Sequence, residues 1–157
     1  MSRTLRAFAI LAALALAAAL AACSGGSSST TPASTVAAAA TAPAAGGATT
    51  VGVTLSEWSV KADQASVPAG KVDFKVKNGG TVAHEFVVIQ TDLAPDKLPV
   101  KGSSVDTTAL TVAGTLTQFD AGSSQDLALD LKPGHYVLIC NLPGHYTLGM
   151  HAELTVK

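Results

Sequence analysis

Residues 134–151 read GHYVLICNLPGHYTLGMH, and this stretch decides how the rest of the chain is read. Tyr136 to Ile139 is an apolar run of strand length, bounded by the turn signal Lys132-Pro133-Gly134 on one side and Pro143-Gly144 on the other. The run feeds a loop that carries Cys140, His145 and Met150 at regular five-residue steps. A thiolate, an imidazole and a thioether on one short loop form a soft donor set, and soft sulfur donors favour copper. The loop is one imidazole short of a full set. His84, far upstream, is the leading candidate to supply it.

Working outward, the pattern on both sides of this loop is that of strands. From Val51, apolar residues recur with period two: Val51, Val53 and Leu55, then Trp58 and Val60 after a bulge. Val67-Pro68-Ala69-Gly70 is a turn. Val72, Phe74 and Val76 alternate with Lys71, Asp73, Lys75 and Lys77, so one face is buried and one is wet. Asn78-Gly79-Gly80 is a tight turn, and Val82, His84, Phe86 and Val88 share the inner parity of the next strand. Segment 91–109 has no clear period and reads as a long loop, with a helical turn near Pro95–Leu98. A strand from Leu110 to Phe119 follows, then alternation through Leu127, Leu129 and Leu131, and a last strand with Ala152, Leu154 and Val156. Seven to eight short strands at this spacing predict an all-β sandwich.

The start of the chain is different. Residues 1–22 have a short basic beginning (Arg3, Arg6) and an Ala/Leu-rich apolar run, which is the layout of a signal peptide and short for a spanning helix. The run ends Leu20-Ala21-Ala22-Cys23, which resembles the bacterial lipobox. By that resemblance Cys23 becomes the lipidated N-terminus, and several acyl chains on one Cys anchor stably where one does not. Ordinary cleavage after Ala19 is the alternative. Residues 24–50 are Ser, Thr, Ala, Gly and Pro without charge, a composition that cannot offset ordering entropy. With Cys23 they form a tether whose r.m.s. span is roughly 30 Å. The expected organisation is therefore leader 1–22, lipidated Cys and tether 23–50, and one folded domain 51–157.

Formal net charge is −1, and −3 once Arg3 and Arg6 leave with the leader. That balance argues against nucleic acid as a partner. Cys23 and Cys140 are the only cysteines, and with Cys23 acylated, Cys140 has no intrachain disulfide partner. Met150 is the only methionine after Met1. Taken one at a time, His84 reads as a core histidine, Cys140 as a small buried residue and Met150 as core filler. Taken together they match one donor set.

At this point the domain resembles the cupredoxins, the type 1 blue copper proteins. The marks are Asn78-Gly79-Gly80 with His84 soon after, Pro133-Gly134-His135-Tyr136 leading to Cys140, and Cys140-x4-His145-x4-Met150. The two four-residue gaps resemble the longer loops of the auracyanin and rusticyanin type. The resemblance covers about Val51 to Lys157. It implies a Greek-key sandwich with one copper near one end. His84, Cys140 and His145 would be equatorial ligands and Met150 the weak axial one. It also implies an electron port at His145, framed by the apolar patch Leu142, Pro143, Tyr146 and Leu148. Two departures bear on the surroundings of the ligands, to which Asn141 also belongs. The position after the first His is often Asn in relatives and here is Glu85, and positions 138 and 139 are Leu and Ile where aromatics are common. His135 and His151 are spare imidazoles, His135 expected exposed and His151 pointing away from Met150.

The leading expectation is a non-enzymatic, monomeric electron carrier, tethered by lipid to a membrane on the extracytoplasmic side of the cell envelope. It would exchange electrons with redox protein partners of cytochrome or oxidase kind. A carrier or resistance protein that hands on copper is the alternative. Multicopper oxidases and nitrite reductases resemble repeated domains with added His-rich motifs, whereas this chain has one domain and four His. A metal-free adhesive sandwich would leave the ligand spacing a coincidence.

Overall fold

The structure is a computed structural model and describes residues 47–157. The leader, Cys23 and most of the tether lie outside the described residues. Eleven strands are present among the described residues: β1 (Thr49–Ser56), β2 (Ser59–Ala62), β3 (Ser66–Val67), β4 (Gly70–Asn78), β5 (His84–Gln90), β6 (Val100–Lys101), β7 (Ser104–Val105), β8 (Thr111–Phe119), β9 (Ser124–Leu131), β10 (Gly134–Ile139) and β11 (His151–Val156). A 3₁₀ turn, Thr107–Ala109, precedes β8. The all-β expectation holds. The strands beyond the expected seven to eight include three of only two residues, β3, β6 and β7, too short to show a period.

The strands form a sandwich. One sheet has the order β2-β1-β4-β9 and the other β3-β11-β10-β5-β8, with β6 and β7 as a separate hairpin. β1 pairs with β4 in parallel, and β3 with β11; the remaining pairs are antiparallel. This non-sequential order is the Greek-key pattern of the expected class. Alternation explains β4 directly. Val72, Phe74 and Val76 are fully buried, while Lys71, Lys75 and Lys77 face solvent. Both sheets contribute to one inner core, which includes Leu55, Phe74, Phe86, Leu138, Leu154 and, at one end, Cys140 and Met150.

β5 and β10 do not alternate, and the reason is a second core. Phe86 and Val88 face the inner cluster, whereas Val87, Ile89, Val137 and Ile139 face outward and are covered by Leu98, Val105 and Tyr146. A strand covered on both faces reads as a continuous apolar run. The covering segment is the one expected to be a long loop with a helical turn near Pro95–Leu98. It contains a turn closed by Lys97 N–H to the Ala94 carbonyl at 2.9 Å, then the β6–β7 hairpin and the 3₁₀ turn.

Two further expectations are corrected. Trp58 is not in a bulged strand; it occupies a two-residue hairpin turn between the paired Ser56 and Ser59, with φ 51°. Val82 is not inward. It precedes β5 and is exposed, because its N–H is taken by Glu57 and its carbonyl by Asn78.

Tyr136 is buried in the inner core, and its hydroxyl donates to the Lys132 carbonyl at 2.9 Å. This bond pins the Lys132-Pro133-Gly134 turn that starts β10. Tyr136→Phe keeps the ring and strands the carbonyl, so the expected loss is about 1–1.5 kcal/mol. In a domain of this size that lowers the thermal midpoint by about 4–8 °C. Calorimetry of the two chains checks it, and an unchanged midpoint would show that the bond contributes nothing net.

Candidate metal centre

Strand pairing brings the distant imidazole to the loop. β10 lies antiparallel to β5, with Ile139 opposite Val87, and antiparallel to β11, with Ile139 opposite His151. Cys140 is therefore the first residue past the end of β10, beside the start of β5, where His84 stands. The Glu85 N–H points at the Cys140 Sγ across 3.3 Å, which ties the two segments directly.

The 140–150 loop is fixed by its own backbone. Cys140 N–H donates to the Met150 carbonyl, Met150 N–H to the His145 carbonyl, and His145 N–H to the Leu142 carbonyl, all at 3.0–3.1 Å. Gly144, at φ 84°, and Gly149, at φ 113°, take backbone conformations that L side chains rarely adopt. Outside contacts hold the loop to the β6–β7 hairpin. The Asn141 side chain accepts from Val105 N–H at 2.7 Å and donates to the Val105 carbonyl at 3.2 Å, and Gly144 N–H donates to the Ser103 carbonyl at 2.7 Å.

The result is a triangle of donor atoms. His84 Nδ1 and His145 Nδ1 are 3.3 Å apart, and the Cys140 Sγ lies 3.9 Å from the first and 3.4 Å from the second. The circumradius of a triangle with these sides is about 2.1 Å, close to first-row metal–nitrogen distances of about 2.0–2.1 Å and just inside metal–sulfur distances of about 2.3 Å. Three lone-pair donors facing one point fit a cation better than they fit one another. His84, Cys140 and His145 are the one potential metal-holding group of this kind among the described residues. Met150 is fully buried beside Cys140 in the core and is bonded through its backbone to both loop donors.

Electrostatics act differently on the two kinds of donor: they favour the neutral, ligating form of the His84 imidazole and disfavour the thiolate form of Cys140 that a metal requires. Burial pushes the Cys140 thiol up, an effect opposed by the Glu85 and Leu142 N–H groups and reinforced by the Glu85 carboxyl. Burial also pushes the His84 imidazole down, and His145 adds to this while Glu57 opposes it. A neutral imidazole is the form that ligates a metal. The Glu85 carboxyl is half-buried, and burial raises its pKa.

The other candidates are placed as follows. Leu148 and Pro143 are exposed and Leu142 is half-buried, but Tyr146 is not part of a surface patch. It is buried, its hydroxyl donating to the Pro95 carbonyl at 2.8 Å and accepting from Leu98 N–H at 2.9 Å. The surface beside His145 is made instead by Trp58, whose ring meets the His145 ring edge-on at 5.3 Å. His135 is half-buried rather than exposed, its Nδ1 at 2.6 Å from the Thr91 carbonyl. His151 packs its ring against Tyr146. Two residues near the imidazoles were not legible in the sequence, Glu57 and Trp58. Glu57 carries no signal there, and Trp58 reads as part of a bulged strand.

The model of the copper binding proteins of the plastocyanin/azurin family matches residues 48–157. The chain belongs to this family and is a cupredoxin. The cupredoxin is similar in fold to dithionite-reduced auracyanin from the photosynthetic bacterium Roseiflexus castenholzii, with 23% identity and a TM-score of 0.53 over 71% of this chain and 99% of that one. Auracyanin B is 26% identical, with a TM-score of 0.52 over 70% and 89% of the two chains. Auracyanin A, a "blue" copper protein of the green thermophilic photosynthetic bacterium Chloroflexus aurantiacus, is 19% identical, with a TM-score of 0.52 over 71% and 100%. No curated protein sequence matches the chain. The cofactor of this cupredoxin is copper, and the donor triangle fits it.

Proposed function

We propose that this cupredoxin carries single electrons between redox protein partners, through a type 1 copper that His84, Cys140, His145 and Met150 would hold. The observation that carries the reading is the convergence of two Nδ1 atoms and one thiol Sγ on a point about 2.1 Å from each. Bound copper supplies a one-electron couple. The chain supplies a rigid cage that limits rearrangement, since every ligand backbone in the loop is hydrogen-bonded. Electrons pass at the half-buried edge of His145, beside the exposed Leu148 and Trp58. Small apolar surfaces suit brief redox encounters. The protein acts as a monomer, is not an enzyme, and works on the extracytoplasmic side of the envelope, anchored through lipidated Cys23. Its partners are of cytochrome or oxidase kind.

Voltammetry of the copper-loaded chain tests the reading. A reversible one-electron wave is expected, with copper retained in both oxidation states against a Cu(I) chelator. Ready loss of Cu(I) to the chelator would favour the copper-carrier alternative. For the anchor, Cys23→Ser is expected to move the chain from the membrane to the soluble fraction, and an unchanged distribution would refute lipidation.

A further inference from the structure

The ring of His84 has two nitrogens, and the donor triangle uses one. The other, Nε2, is buried and has no hydrogen-bond partner among the described residues. An imidazole that ligates through Nδ1 keeps its proton on Nε2, and metal-bound imidazoles almost always present that proton to a carboxylate, a carbonyl or water. Glu57 Oε1 faces this atom across 3.9 Å. That distance is beyond a hydrogen bond, and such contacts commonly tighten when a site is loaded.

Glu57 is itself held. Its Oε1 accepts from Thr81 N–H at 2.5 Å, from Val82 N–H at 2.9 Å and from the Thr81 hydroxyl at 3.1 Å. These bonds keep it ionised, with its pKa lowered to about 2. They also fasten the segment from which β5 and His84 begin. Gly80 gives an independent sign that the carboxylate and the imidazole are meant to face each other. A Cβ at position 80 would stand 2.7 and 2.8 Å from the two Glu57 oxygens and 2.9 Å from His84 Nε2. Gly80 is not at positive φ, so the requirement there is for space rather than backbone freedom. The Glu57 backbone sits in the tight β1–β2 turn, and Gly79 N–H donating to the Leu55 carbonyl at 2.8 Å ties the end of β1 to the 78–80 turn.

We infer that Glu57 is a positioning residue of the copper site, its carboxylate clamping the 80–82 segment and orienting His84 through Nε2. The inference deepens the proposed function and rests on His84 being a ligand. The clamp acts in the metal-free chain; the orientation acts on the loaded one. A negative charge on this side of the site also favours the oxidised metal.

Glu57→Ala and Glu57→Gln test it in the purified full-length chain, with Cu(II) as the probe. In the metal-free protein, Glu57→Ala shifts the amide signals of Thr81 and Val82 in nitrogen–proton NMR spectra, and Glu57→Gln, which keeps an acceptor oxygen, restores them. In the loaded protein, Glu57→Ala weakens Cu(II) binding by roughly 10–100-fold. Glu57→Gln raises the midpoint potential, because it keeps the clamp and removes the charge. Unshifted Thr81 and Val82 amides in Glu57→Ala would overturn the clamp. Cu(II) affinity and potential within twofold and unshifted, respectively, in both variants would overturn the orientation. Failure of the ligand reading looks different: the wild-type chain would then show no thiolate–copper absorption, while the metal-free NMR comparison still decides the clamp.

Discussion

Asn78→Ala lowers the stability of the folded chain by about 3–5 kcal/mol, from three lost hydrogen bonds and a stranded buried carbonyl. Asn78 is fully buried at the end of β4. Its side-chain nitrogen donates to the Val82 carbonyl at 2.9 Å and to the Phe119 carbonyl at 3.2 Å, and its Oδ1 accepts from Gly80 N–H at 3.0 Å. These bonds close the 78–82 turn and join it to the end of β8. Water cannot easily replace the Asn amide at the buried Phe119 contact. Because the turn delivers His84 to the site, copper retention falls with stability. Urea unfolding of the metal-free chain measures the first effect and copper titration the second. A loss below about 1 kcal/mol would show that the turn holds without the side chain.

Gly80→Val is expected to separate the site from the fold. Its Cβ alone comes within 2.9 Å of the Glu57 carboxylate and of His84 Nε2, and the added methyl groups crowd both further. The side chains must part, and His84 loses its alignment on the donor triangle. Cu(II) affinity falls by about 100-fold, the upper end of what disturbed outer partners cost. Gly80 is half-buried at the rim and not at positive φ, so the melting point of the metal-free chain changes little. Copper titration beside calorimetry separates the two. Wild-type affinity in the variant would show that the gap between Glu57 and His84 is not needed.

The legible parts of this chain are those where chemistry or solvent imposes a pattern on single residues. β4 shows its period because one face meets water, where Lys71, Lys75 and Lys77 stand. Cys140, His145 and Met150 stand out because sulfur and imidazole are scarce in this domain and lie at regular steps on one loop. His84 was legible only through that loop, as the imidazole it lacked. Beyond its turn near Pro95–Leu98, the 91–109 segment is not legible, since two-residue strands carry no period and its role is to cover the outer face of β5 and β10. Val82 departs from the pattern for a related reason. The parity of β5 does not reach back to it, because side-chain bonds from Asn78 and Glu57 turn the backbone out of the strand. Tyr146 looked like surface because its neighbours in the loop are surface, yet its hydroxyl finds two backbone partners 48 and 51 residues away. In the sequence Glu57 carries no signal and Trp58 reads as part of a bulged strand. Only the pairing of β1 with β4, and the loops that follow, carries them to the two imidazoles.

The most direct test of the copper site is the visible absorption spectrum of the chain after addition of Cu(II), recorded beside Cys140→Ser. A thiolate–copper bond in the donor triangle predicts an intense charge-transfer band that bleaches on reduction, returns on reoxidation and is absent from the Ser variant. A wild-type chain that gives no such band, or a Ser variant that gives the same one, would contradict the assignment of Cys140 as a copper ligand.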